Sequence, residues 1–260
     1  MTRRFALIFV ALMATASIVL AACGAQAPAA PALTDPKEIL TASVLSLKDV
    51  KTVEFTSSFN GTLDIKELGT PLDLSTVKMS GAMDVAGKKA KFSLDAPTLL
   101  GTKIDALILD TAAYYKIAGP LAMMAGGSAD KFTKVDVPEA SGKPVTDVAE
   151  LAKQIDELKA ALDKLPTPPT KGADEKCGDQ DCYHVTLKMT AADMALLNPG
   201  TEAMAGDFTM DLWTRKNDRR PAKLVLAVTS PDVGTVGMTF DLKYDVPVSV
   251  DAPPADQIAP

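Results

Sequence analysis

A single histidine, His184, serves the whole chain. A nucleophilic triad needs such a base beside a nucleophile and an orienting acid, and no serine lies in a Gly-x-Ser-x-Gly elbow. Phosphate loops are missing too. The stretch "GPLAMMAGG", residues 119–127, has glycines but neither the lysine nor the spacing that cradles phosphate. A zinc site built from Cys177, Cys182 and His184 lacks a fourth ligand and matches no usual spacing. The acidic pairs Asp179/Asp181 and Asp207/Asp211 read as solvated surface charge. Basic charge is in deficit, with 27 Lys+Arg against 33 Asp+Glu. That balance leaves no electrostatic footprint for nucleic acid and no basic patch for anionic lipid heads. The chain is therefore expected not to be an enzyme, with no cofactor, no metal and no nucleic-acid partner.

Aromatics are scarce at 5% of the chain, against 47% apolar residues in all. Ala, Leu, Val and Met fill the apolar positions instead. The lone tryptophan, Trp213, is either a ligand-stacking ring or edge packing. No repeat of solenoid period is present.

One long apolar run exists, "FALIFVALMATASIVL", residues 5–20, behind Arg3 and Arg4. It is short for a spanning helix, which wants about 20 residues. "LAAC", Leu20–Cys23, follows it with small residues ahead of the cysteine. The whole resembles a bacterial lipoprotein signal, its last part a lipobox. Residues 1–22 are then a signal peptide, and Cys23 becomes the acylated first residue. Each buried methylene of its acyl chains contributes about 0.8 kcal/mol, enough to anchor without spanning. Residues 23–35 are Ala/Pro-rich and nearly uncharged, which suits a flexible tether. Losing Arg3 and Arg4 makes the mature chain more acidic still.

Residues 36–253 are expected to form one domain. Asp35 caps a helix that Pro36 opens and Glu38 completes as a capping box. Leu40, Val44 and Leu47 share its face. Period-two alternation then runs through 53–65, 77–85 and 90–96, with "TKIDALILD" and "AAYYKI" as two further strands. One polar face on each means antiparallel sheet, half buried. A helix follows, capped by Asp147 and Glu150, with Val148, Leu151, Ile155, Leu158, Leu162 and Leu165 as a stripe and Pro166 as its stop. "PTPPTKGADEK" reads as a polar loop. A strand at 183–189, a short helix from Thr190 to Asn198–Pro199, and three strands complete the domain. Residues 254–260 read as a disordered tail. Strands before and after helices, rather than alternating with them, mean α+β. A sheet this large tends to curl.

The pattern resembles the LppX/LprG-type lipoproteins of mycobacteria and, more distantly in architecture, the LolA/LolB-like carriers. The likeness covers about residues 36–253. It rests on the lipobox, the opening helix, the hairpins, "CYHVTLKMTAADM", "LWTRKNDRRPAKLVL" and "FDLKYDVPVSVDAPP" in that order. It implies a half-barrel, a large curled antiparallel sheet with helices on its concave face, and an apolar cavity for acylated lipids. Candidate lining residues are Phe55, Phe59, Met79, Met83, Phe92, Tyr115, Leu151, Ile155, Leu158, Tyr183, Met189, Phe208, Met210, Met238 and Phe240. Methionine adapts to irregular apolar surfaces, so its abundance suits lipid contact as well as it suits filling a core. Met123 and Met124 mark a candidate portal loop.

The implied function is lipid or lipoprotein transfer or presentation at the cell envelope, by a protein anchored extracytoplasmically through Cys23. It is expected to be a monomer that meets an envelope transporter. The alternative is a structural or protein-interaction lipoprotein with a filled core. With Cys23 acylated, Cys177 and Cys182 remain as an even pair outside the cytoplasm, where disulfides persist. Their four-residue spacer is longer than that of a redox dithiol, and they read as a structural disulfide.

Overall fold

The first helix begins where its capping chemistry places it. In the computed structural model, the Asp35 carboxylate accepts the Glu38 N–H at 2.8 Å and Pro36 opens helix α1, Pro36–Leu45. A 3-10 turn, Ser46–Asp49, leads from it into the sheet. The structure describes residues 31–64, 71–109, 112–120, 122, 130–136, 148–164, 167–193, 206–230 and 234–259, with the backbone alone at 148–151. Cys23, Met123, Met124, Asp147, Leu165, Pro166 and 194–199 lie outside the described residues, as does the Leu151 side chain.

The strands are β1 Thr52–Leu63, β2 Leu72–Asp73, β3 Lys78–Asp84, β4 Lys89–Ala96, β5 Thr102–Ile108, β6 Ala112–Ala118 and β7 Thr133–Asp136. After helix α2, Val148–Lys164, come β8 Thr170–Lys171, β9 Glu175–Cys177, β10 Gln180–Met189, β11 Asp207–Arg215, β12 Pro221–Ser230 and β13 Gly234–Tyr244. Together they form a thirteen-stranded sheet in the order β7-β6-β5-β4-β3-β1-β13-β12-β11-β10-β8, with β2 on β1 and β9 on β10. The first and last long strands meet in its middle, antiparallel from Val53–Tyr244 to Leu63–Gly234. Antiparallel hairpins extend from this seam in both directions. The sheet is open and curled, and the class is α+β.

Short strands depart from the sequence reading. The segment taken as a polar loop after α2 contains β8 and the start of β9. β2 and β7 were not expected either. Strands of two to four residues pair through the backbone and are too short to show a period. In the short helix, Thr190 and Asp193 cap each other: the Thr190 N–H and hydroxyl donate to Asp193 Oδ2, and the Asp193 N–H donates to Thr190 Oγ1.

Two packed clusters lie on the apolar side. Ile39, Leu40 and Val44 of α1 and Ile155 and Leu162 of α2 pack on Tyr183, Val185, Leu187 and Leu212 of β10 and β11. Elsewhere Leu74, Val77 and Ala96 are buried, with Phe59, Leu63, Leu94, Leu99 and Val236 against them.

The C-terminus corrects the expected disordered tail. Asp245 N–H donates to Thr52 O at 2.9 Å, and Thr52 Oγ1 donates to Val246 O at 2.6 Å. Val250 is buried. A 3-10 turn, Ala255–Gln257, then brings Ile258 alongside Phe132, whose N–H donates to Gln257 O and whose carbonyl accepts from Ala259 N–H, both at 2.8 Å. The segment is a strap from the central seam to the edge strand β7. Backbone pairing at an exposed edge also blocks that edge against other chains.

Candidate functional site

Register sorts the side chains onto two faces. On β1, Val53, Phe55, Ser57 and Phe59 stand opposite Tyr244, Leu242, Phe240 and Met238 of β13. On the other flank Val53, Phe55 and Ser57 face Met83, Gly81 and Met79. The same phase continues through Leu94, Phe92 and Ala90 of β4 and Ile104, Ala106 and Ile108 of β5 to Ile117, Tyr115 and Ala113 of β6. In the opposite direction it passes through Leu224, Leu226 and Val228 of β12, then Leu212, Met210 and Phe208 of β11, and ends on Val185, Leu187 and Met189 of β10. One apolar surface therefore crosses the sheet.

Its burial is uneven. Under α1 and α2, Tyr183, Val185 and Leu187 are at most 3% exposed. Over the middle strands, by contrast, Phe55, Phe59, Met79, Met83, Phe92, Tyr115, Met238 and Phe240 are all half-buried. Phe208, Met210 and Met189 are half-buried as well, the two methionines at the margin of the helix-covered cluster. The Phe55 and Phe240 rings approach at 6.2 Å with a 55° tilt.

Three other candidates are placed differently. Tyr183 and Ile155 belong to the buried cluster under the helices. The Tyr183 hydroxyl accepts from Leu33 N–H and from Arg219 Nη1, both at 2.9 Å, so it pins the start of the domain. Leu158 is 44% exposed. The packing line of α2 runs through Ile155 and Leu162 and is flanked by half-buried Ala152 and Lys159, which leaves Leu158 on the other shoulder. Sequence reading missed Ser57, Ile104, Ala106, Leu224 and Leu226. The alternation in "TKIDALILD" was signal enough for the first apolar pair.

The motifs that carried the resemblance meet at one corner. The β11–β12 turn sets Arg215 and Arg220 against the Tyr244 ring, at 5.3 and 5.5 Å from its centroid. Burial raises the Tyr244 phenol well above its usual value, although both guanidinium groups pull it down. Arg220 pairs with Asp245 at 2.5 Å. Asp174 is held below the usual carboxylate value by hydrogen bonds from Lys171 and Lys216.

The polar face carries the lone histidine. His184 Nε2 is 2.9 Å from Asp211 Oδ1, and Nδ1 is 3.3 Å from Glu175 Oε1. The Trp213 ring stacks on His184 at 4.3 Å, and its N–H donates to Glu175 Oε2. Trp213 is thus fully engaged by its own sheet. Asp211 is not plain solvated charge, because Thr186 Oγ1 also donates to it. The Thr186 hydroxyl donates to the carboxylate that His184 also meets, so Asp211 joins the two across β10 and β11. No cluster of three metal-ligating side chains occurs among the described residues.

Cys177 and Cys182 form the expected disulfide, with Cα atoms 6.0 Å apart. It staples the β9–β10 hairpin. Gly178, at φ +60°, supplies the first turn residue, as a two-residue hairpin loop requires. Two shallow cavities of about 510 and 370 Å³ also lie over the polar face, lined by Thr56, Ser80, Ser93 and Asp241 in common. No helix among the described residues is long and apolar enough to cross a membrane.

No protein-family model matches the chain, and no curated protein matches it. Among solved structures, LprF from Mycobacterium bovis superposes with a TM-score of 0.52 at 13% identity, over 84% of this chain and 96% of that one. The Mycobacterium tuberculosis lipoprotein LppX gives 0.49 at 12% identity, over 83% and 98%. The chain shares the LprF fold.

Proposed function

We propose that this protein is an extracytoplasmic lipoprotein, anchored through acylated Cys23, that holds acyl lipid against the apolar face of its sheet. It would transfer or present that lipid at the cell envelope. The observation that carries this reading is the half-buried apolar surface over β13, β1, β3, β4 and β5, next to a cluster of the same face that the helices bury. A half-exposed Phe, Leu or Met leaves about 1 kcal/mol of transfer free energy unrealised. An acyl chain laid across the face realises it.

The same magnitudes set the mechanism. Taking a chain from water gains about 0.8 kcal/mol per methylene. Taking it from a bilayer is nearly neutral, since both surroundings are apolar. Such a protein exchanges lipid with membranes and relies on a partner for net direction.

The test uses exported protein carrying Cys23→Ala, so that its own acyl chains do not confuse the measurement. Mass spectrometry should recover co-purified acyl lipid. A delipidated sample that takes up no lipid from vesicles would sink the reading.

A further inference from the structure

One hydroxyl interrupts the apolar face. Ser57 stands in the phase of Phe55 and Phe59, opposite Phe240 on β13 and Met79 on β3. It is only 5% exposed, and among the described residues its Oγ has no hydrogen-bond partner. Along β1, β3, β4 and β13 the other polar side chain in this phase is Tyr244, at the far end of β13. A buried hydroxyl without a partner costs about 1–3 kcal/mol. Two more such hydroxyls among the described residues, Ser43 and Thr214, are fully buried at the helix-covered end. Ser57 differs because Phe55, Phe59, Met79 and Phe240 around it are all half-exposed. Met79 has three rotatable bonds and moves aside easily.

We infer that Ser57 is the polar anchor of this face, donating its hydroxyl proton to the ester carbonyl of an acyl lipid. The inference rests on the lipid-binding reading and narrows it to ester-linked lipids. A hydrocarbon chain offers Ser57 nothing. A free carboxylate would bring a charge into apolar surroundings at high cost. An ester carbonyl accepts one hydrogen bond, carries no charge and lies at the head of its acyl chain. Ser57 therefore sets how deep the ester sits and where both chains run.

The experiment compares two lipids of equal chain length, a diacyl phosphatidylcholine and its dialkyl ether analogue, binding to the Cys23→Ala protein. The ether lacks the carbonyl. In Ser57→Ala the ester-to-ether affinity ratio should fall about fivefold or more, the worth of one hydrogen bond to a buried donor. Ether binding should stay unchanged. Ser57→Thr keeps the hydroxyl and should retain the ratio, which separates the hydroxyl from mere packing. An equal ratio in wild type and Ser57→Ala overturns the anchor and leaves lipid binding standing. Wild-type protein that binds neither lipid overturns the lipid-binding reading itself.

Discussion

The ring of Phe55 lies directly on Gly81. A Cβ added at Gly81 would come within 2.4 Å of Phe55 Cε1, and the backbone carbonyl of Lys91 would be at 3.0 Å. The glycine lets the ring lie flat against the sheet rather than stand above it. Phe55 in turn meets Phe240 across the β1–β13 seam, beside Ser57. One missing methyl group thus shapes the middle of the apolar face.

Gly81→Ala tests whether the space above that face is hollow. The Phe55 ring must swing off the sheet, and the Lys91 carbonyl must give by a few tenths of an ångström. Where room exists, the move is cheap and the melting temperature should stay within about 3 °C of wild type, while lipid uptake falls severalfold. In a filled core the same change overpacks, at about 1–3 kcal/mol. A large fall in melting temperature with no change in uptake would support the filled core.

The strap carries the second prediction. Ending the chain after Pro253 removes the two backbone hydrogen bonds that Phe132 makes to Gln257 and Ala259. At about 0.5–1.5 kcal/mol each, the loss is about 1–3 kcal/mol. For a domain of this size that lowers the melting temperature by about 2–12 °C. The truncated protein should also aggregate faster, because the start of β7 regains a free edge. Light scattering during a thermal ramp reads both effects, and unchanged behaviour would mean that the strap is dispensable.

How much of this was legible depended on the length of each element. β1 could be read because Phe55 and Phe59 recur in one phase over twelve residues. β8 could not, since Thr170 and Lys171 form a strand only through their pairing with Thr186 and Val185. Helix periodicity named the stripe that holds Ile155, Leu158 and Leu162 but not its partner, and α1 covers only one shoulder of it. Tyr183 was legible as an inward residue. Its role as a fastening for Leu33 was not, because Arg219 and Leu33 meet it only in three dimensions. Ser57 was passed over because a polar residue in an apolar phase looks like noise until its neighbours are known.

The disulfide should matter for stability and little for binding. Its loop is small, so the chain-entropy model assigns it about 2 kcal/mol. Cys177→Ala with Cys182→Ala should lower the melting temperature by about 4–8 °C. Cys182 falls in the polar phase of β10, away from the half-buried apolar face. Lipid uptake measured below the transition should therefore match wild type, and a variant that is stable but cannot bind would contradict this placement.

Asp245 gives a pH dependence of known sign. Its carboxylate accepts the Lys51 N–H at 3.0 Å and pairs with Arg220, and these contacts lower its pKa. A carboxylate depressed in the folded state stabilises the fold fully above its unfolded value of about 4. That contribution disappears as the pH falls through the lower, folded value. Asp245→Asn is a clean probe. Asparagine tolerates the residue's φ of +54° and keeps an oxygen for Lys51 N–H, so only the charge is lost. The pair is partly exposed, and about 1 kcal/mol or less is at stake. Urea midpoints from pH 7 to pH 3 should show the variant weaker near neutrality and converging on wild type below about pH 4. A gap of constant size across that range would mean that the charge contributes nothing and that the aspartate acts through its backbone geometry alone.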